Sequence, residues 1–205
     1  MTIARDPVIR TAGAITVTGG VTADVARHPA NARTANRRTT GRGTAGRPAQ
    51  RGPLDPIALL DLAKEHAGVT GTWADRDTAS LTERSYELVS LTDDVEVWVI
   101  HWPAGGSLQL HDHGGSSGAF WVVGGTLEER YLTDDRSLAR RRIGAAGGAG
   151  FGPRYVHDVR NGGTAPATSV HAYSPPMPGM TFYRTSPTGL VAERTEYRSD
   201  PSWAP

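Results

Sequence analysis

Ten short β-rich runs, separated by glycine and polar turns, fill the chain from residue 85 to residue 198: SYELVSL, VEVWVIHW, SLQLHDH, AFWVVGG, TLEERYL, SLARRRI, HDVRN, ATSVHAY, MTFYR and LVAERTEYR. Runs of this length, rich in Val, Thr and aromatic residues, read as strands. Ten of them behind a single helix predict an all-β fold, a closed antiparallel barrel or jelly roll. The helix is predicted over LDPIALLDLAKEHAG, where Asp55 can cap, Pro56 suits the first helical position and Gly68 can close the C-terminus. Such a barrel encloses a pocket in which inward side chains from several strands meet.

The first 52 residues read differently. They contain no aromatic residue and carry nine Arg against two Asp, whereas residues 53–205 carry 13 basic against 19 acidic residues. The Arg/Thr/Ala/Gly-rich stretch TANRRTTGRGTAGRPAQRGP cannot bury enough surface to offset chain entropy. Residues 1–52 are therefore expected to be a disordered tail, or the product of a start codon set too far upstream, with one domain over 53–205. Clustered Arg attracts phosphate, but no aromatic side chain interleaves for base stacking, so nucleic acid is not expected as a partner.

No apolar run approaches the roughly 20 residues of a membrane-spanning helix, and the N-terminus lacks the apolar core of a secretory signal. A cytoplasmic monomer is expected. The chain has no Cys, which excludes disulfides, thiolate ligands and a cysteine nucleophile. Any metal must be held by N and O.

Two of the seven His stand one residue apart in QLHDH. On a strand, His111 and His113 would point to one face and Asp112 to the other. A third, His157 in GFGPRYVHDVRNGG, lies on another predicted strand. Three neutral imidazoles suit a divalent first-row metal, with iron, zinc, copper and nickel all chemically allowed. His28, His66 and His101 are read as ordinary core or surface residues, and Trp98, Trp102, Phe120, Trp121 and Phe151 as core packing.

The spacing resembles the cupin family: Gly105, His111, His113 and Gly125 fit its first motif, and Gly147, Pro153, His157 and Asn161 its second. Where that family places a Glu, this chain has Ser117 or Gly118, so it looks like a three-histidine cupin. SVHAYSPP brings it closer to the cysteine dioxygenase family, whose S-x-H-x-Y series is matched by Ser169, His171 and Tyr173. In that family the following Ser-Pro bond, here Ser174-Pro175, is often cis. Animal members also crosslink a cysteine to the tyrosine; the matching position here is Gly118, so no crosslink can form.

The resemblance implies a cupin-type barrel holding Fe(II) on His111, His113 and His157, with small-molecule thiol and dioxygen as partners. It implies that L-cysteine binds iron through thiolate and amine and is oxidised to cysteine sulfinic acid. Ser169, His171 and Tyr173 would form a hydrogen-bonded chain ending at the substrate. A substrate carboxylate asks for a guanidinium. Arg84, in TERSYELV, is the candidate and Arg184 the reserve. In mercaptopropionate-using relatives an arginine follows the YSPP turn, where this chain has Met180. The alternatives are a 3-mercaptopropionate or other small-thiol dioxygenase, and a metal-binding cupin without turnover.

Overall fold

The computed structural model describes residues 15–17, 52–69, 81–200, 203 and 205. Of the expected tail, only Ile15–Val17, which forms strand β1, and Gly52 are among them; the rest, His28 included, lies outside the described residues. Helix α1 spans Pro56–Val69. The Asp55 carboxylate accepts the backbone N–H of Ile57 and of Ala58, both at 2.9 Å, and satisfies two donors that the first turn leaves open. The helix runs one residue past the stop expected at Gly68, within the usual fraying of helix ends.

The strands are β2 (Ser85–Leu91), β3 (Glu96–Trp102), β4 (Ser107–His111), β5 (Ser117–Gly124), β6 (Thr126–Leu132), β7 (Leu138–Gly144), β8 (Gly148–Phe151), β9 (His157–Arg160), β10 (Ala167–Ser174), β11 (Gly179–Ser186) and β12 (Gly189–Tyr197). They form two six-stranded antiparallel sheets. Sheet A has the order β1-β8-β5-β10-β3-β2 and sheet B the order β12-β11-β4-β9-β6-β7. All ten predicted strands are present, in the all-β barrel that the cupin resemblance implied.

One core fills the space between the sheets. Trp98, Ile100, Trp102, Phe120 and Val122 from sheet A meet Leu127, Ile143, Val159, Met180 and Phe182 from sheet B. A second core lies on the other face of sheet A, where Leu59, Leu60 and Ala63 of α1 cover Val97, Val99, Ala119, Trp121, Val170 and Ala172. Strands β3, β5 and β10 are thus buried on both faces, which is why they read as continuous apolar runs rather than as alternating ones. Burying each leucine of α1 contributes about 1.5–3 kcal/mol, so the helix is bound firmly to the back of this sheet. Trp121 belongs to this outer layer and not to the barrel interior.

Strand β8, GAGF, was not expected, because glycine reads as a turn former. Its small residues answer to close approach. A Cβ on Gly150 would stand 2.5 Å from the carbonyl oxygen of Pro56, where α1 begins.

Candidate metal centre and the hydrogen-bonded chain beside it

His111 ends β4, beside His157 of β9 on one side and Phe182 of β11 on the other. The strand stops there, so His113 is not placed by strand alternation as the sequence pattern suggested. Asp112 does the placing instead. Its N–H donates to the Thr181 carbonyl at 3.0 Å. Its carboxylate accepts the N–H of Gly114 at 3.0 Å, the N–H of Thr181 at 3.1 Å and the Tyr183 hydroxyl at 2.7 Å. A turn tied at four points returns His113 to the barrel interior.

The three imidazoles converge. Each is buried, their ring centroids lie 4.8–5.0 Å apart, and one candidate ligand nitrogen from each lies within 4.8 Å of the others. His111 Nδ1 donates to the Gln109 carbonyl at 2.7 Å, and His157 Nδ1 donates to Glu129 Oε1 at 2.6 Å. Both contacts leave Nε2 as the nitrogen available to a ligand. Neither ring nitrogen of His113 has a hydrogen-bond partner among the described residues. Burial first, and neighbouring imidazoles second, hold His111 and His113 well below the usual histidine pKa, so both are neutral. Three buried imidazoles at this spacing, two of them held neutral, fit a divalent metal ion.

On the facing wall, β10 aims Ser169, His171 and Tyr173 inward as their spacing predicted, while Val170 and Ala172 face the helix. The chain of hydrogen bonds begins one residue earlier than expected. Trp102 Nε1 donates to Ser169 Oγ at 2.9 Å, Ser169 Oγ meets His171 Nε2 at 2.8 Å, and His171 Nδ1 meets Tyr173 Oη at 3.1 Å. Indole can only donate. Ser169 and Tyr173 sit on the two ring nitrogens of His171, and a neutral ring donates through one of them and accepts through the other. Burial, with smaller contributions from His157 and Arg84, pushes the His171 pKa down to about 3, so the ring stays neutral in this chain. Burial also raises the Tyr173 pKa, keeping its proton on. The Tyr173 ring centroid lies 5.2 Å from that of His113, which brings the end of the chain to the histidine cluster.

Trp102, read as packing alone, is therefore also the anchor of this chain. The other four aromatics assigned to packing are buried as expected. His101 too is a core residue, its Nδ1 3.0 Å from Thr168 Oγ1. Asn161 holds the loop ends together, donating to the carbonyls of Trp102, Pro103 and Ala165. The Ser174-Pro175 bond is cis. A Cβ on Gly118 would lie 2.4 Å from Phe151 Cε2 and 2.8 Å from Tyr173 Cδ1, so the Phe151 ring already occupies the space beside the tyrosine.

Arg84 precedes β2 and is half-buried, with its Cζ 5.5 Å from the ring centre of Trp102 and 5.9 Å from that of Tyr86. Its Nη1 is buried without a partner among the described residues. Burial lowers its pKa, against the opposing influence of Tyr173. Arg184 is elsewhere. It lies 3.5 Å from Glu193 and is exposed, on a groove of about 860 Å³ along sheet B whose lining does not include the three histidines. Strand position two by two from Met180 fails to bring Arg184 inside, because the buried stretch of β11 ends after Phe182. Met180 is buried in the barrel core.

Glu129 is the residue of this site that motif spacing missed. Its signal was nonetheless present in TLEERYL, where an acid falls at the inward position between Leu127 and Tyr131.

The profile of the cysteine dioxygenase type I family matches residues 69–186, more than half of the chain, and includes every residue named at the two walls of the site. No curated protein matches the chain in sequence. Among solved structures it is similar to an uncharacterized conserved protein with a double-stranded beta-helix domain from Klebsiella pneumoniae subsp. pneumoniae. That match has 24% identity over 56% of this chain and 89% of the other, with a TM-score of 0.43. Another similar structure is oxalate oxidase in complex with the substrate analogue glycolate, at 19% identity over 52% of this chain and 58% of that one, with a TM-score of 0.46.

Proposed function

The chain belongs to the cysteine dioxygenase type I family, and from that premise we propose that it is a non-haem iron(II) dioxygenase that converts L-cysteine and dioxygen to cysteine sulfinic acid. The observation that carries this reading is the cluster of three buried imidazoles with no carboxylate among them, facing a buried tyrosine whose hydroxyl is held by His171. His111, His113 and His157 would hold the iron, which when bound supplies the redox chemistry that joins dioxygen to a thiol and lowers the thiol pKa.

The remaining tasks fall to the chain's own side chains. Arg84 supports the choice of substrate: a buried guanidinium nitrogen without a partner asks for an anion, and a carboxylate matches its planar fork. Met180, at the position where mercaptopropionate-using relatives carry an arginine, has no charge to offer, which favours cysteine. Tyr173 donates its proton toward the substrate or oxygen side of the site, and His171 and Ser169 hold the phenol in that orientation. The aromatic walls from Trp102, Phe120 and Phe151 keep the site dry, where each such hydrogen bond counts for more than in water.

The test is oxygen uptake by iron-loaded protein with L-cysteine and with 3-mercaptopropionate. Cysteine is expected to give the higher kcat/KM. A preference for mercaptopropionate would overturn the substrate, and no thiol-dependent uptake at all would overturn the dioxygenase reading.

A further inference from the structure

Behind His157 lies a buried ion pair that the proposed chemistry does not use. Glu129 of β6 is fully buried and the side chain of Arg141 of β7, which lines the groove on sheet B, is 12% exposed, with Arg141 Nε 2.5 Å from Glu129 Oε2. The other carboxylate oxygen, Oε1, accepts from His157 Nδ1 at 2.6 Å and from the Tyr155 hydroxyl at 3.1 Å. Arg141 Nη2 reaches the same hydroxyl at 3.2 Å, and its guanidinium stands 4.8 Å from the Tyr131 ring centre. Tyr155 stacks on Phe151, which stacks on His113, each with ring centroids 4.8 Å apart.

Packing does not require this arrangement. A buried ion pair is expensive to desolvate, and apolar residues of similar volume commonly do as well or better. The inward neighbours on these strands, Leu127 and Ile143, are apolar. What the pair does have is a direct line to one imidazole. A carboxylate accepting from Nδ1–H fixes the tautomer that presents Nε2 and makes the ring a stronger donor to a metal. The three histidines are unequal in this respect. His111 is backed by a neutral carbonyl, His113 by no group among the described residues, and His157 by an anion whose second oxygen a cation has claimed.

We propose that Glu129 and Arg141 are opposed positioning residues for the metal centre. Glu129 orients His157 and enriches it with negative charge, and Arg141 limits that enrichment. Together they set the affinity for iron and how readily ferrous iron gives up an electron. The inference rests on the reading that the three histidines hold iron, and it adds a sign for each residue that the reading does not contain.

The test titrates Fe(II) alone, without thiol, into wild type, Glu129→Gln, Arg141→Gln and the double variant under anaerobic conditions. Each bound iron is then titrated electrochemically and followed by its ferric paramagnetic signal. Glu129→Gln is expected to weaken iron binding about 10- to 100-fold and to raise the potential. Arg141→Gln is expected to lower the potential. The double variant, which leaves no lone buried charge, should fall between the two singles. Potentials that move in the same direction, or not at all, would overturn the proposal, since a merely structural role has no reason to give opposite signs. Thermal unfolding of the metal-free proteins reports whether each variant folds. If Glu129→Gln does not, Arg141→Gln decides by sign, a fall supporting the proposal and no change or a rise overturning it. Wild-type protein that binds no ferrous iron would overturn the three-histidine reading itself, and this inference with it.

Discussion

The two walls of the barrel contribute to the site in different ways. The wall from sheet A carries Trp102, Ser169, His171 and Tyr173, a chain of neutral groups that satisfy one another, with a helix packed on its back. The wall from sheet B, with the turn that follows β4, carries the three histidines and the Glu129–Arg141 pair. Its outer face bears exposed charges such as the ladder of Glu128 with Arg160 and Arg142, and Asp158 with Arg130. One wall closes its own hydrogen bonds and ends at the Tyr173 hydroxyl, on a ring beside His113. The other presents nitrogens that lack partners. On the proposed reading, metal holding and proton placement fall on separate sheets, and substitutions should separate them.

The largest effect is expected from breaking the sheet B wall. His111→Ala, His113→Ala or His157→Ala should each remove iron and abolish activity, as read by metal content after purification and by oxygen uptake. Iron should also stabilise the wild type by mass action, by about 2.7 kcal/mol at a hundredfold excess over Kd, and this gain in Tm should vanish in the three variants. A histidine variant that keeps its iron would mean that this wall does not hold the metal.

Arg84→Ala comes next. Leaving a substrate carboxylate unpaired should cost on the order of 2 to 4 kcal/mol in kcat/KM for cysteine while iron content is unchanged. Steady-state kinetics that leave cysteine unaffected would remove Arg84 from the site.

Tyr173→Phe acts on the sheet A wall alone. It removes a hydroxyl and little volume, so iron should bind as in the wild type while turnover falls about tenfold to a thousandfold. Loss of iron in this variant would mean that the two walls are not separable.

The least effect is expected on the outer face of sheet B. Glu128 and Glu129 are neighbours on one strand, yet Glu128 faces outward to Arg160 and Arg142 in solvent. Glu128→Gln should leave iron affinity, turnover and Tm unchanged, because an exposed ion pair is screened. Glu129→Gln should not be silent. Equal effects at the two positions would mean that burial behind His157 is not what matters.

Much of this was legible before the structure. The ten strands announce themselves through β-branched and aromatic runs, α1 through Asp55 and Pro56, and the site through residue types rare enough to need a reason: HxH, a third His, and S-x-H-x-Y. What was hidden depended on three-dimensional pairing. Strand β8 is hidden because its glycines serve close packing against the start of α1. His113 reaches the cluster through the hydrogen bonds of Asp112 and not through strand alternation. Trp102 joins the hydrogen-bonded chain only because β3 lies against β10, placing its indole on Ser169. Arg141 gains its meaning from the register that sets it opposite Glu129 on β6.

Where the oxygen atoms go decides the proposed chemistry. Iron-loaded protein given L-cysteine under isotopically labelled dioxygen should yield cysteine sulfinic acid, identified by mass spectrometry, with both labelled atoms on sulfur. Product carrying one labelled atom or none, or cystine as the sole product, would contradict it.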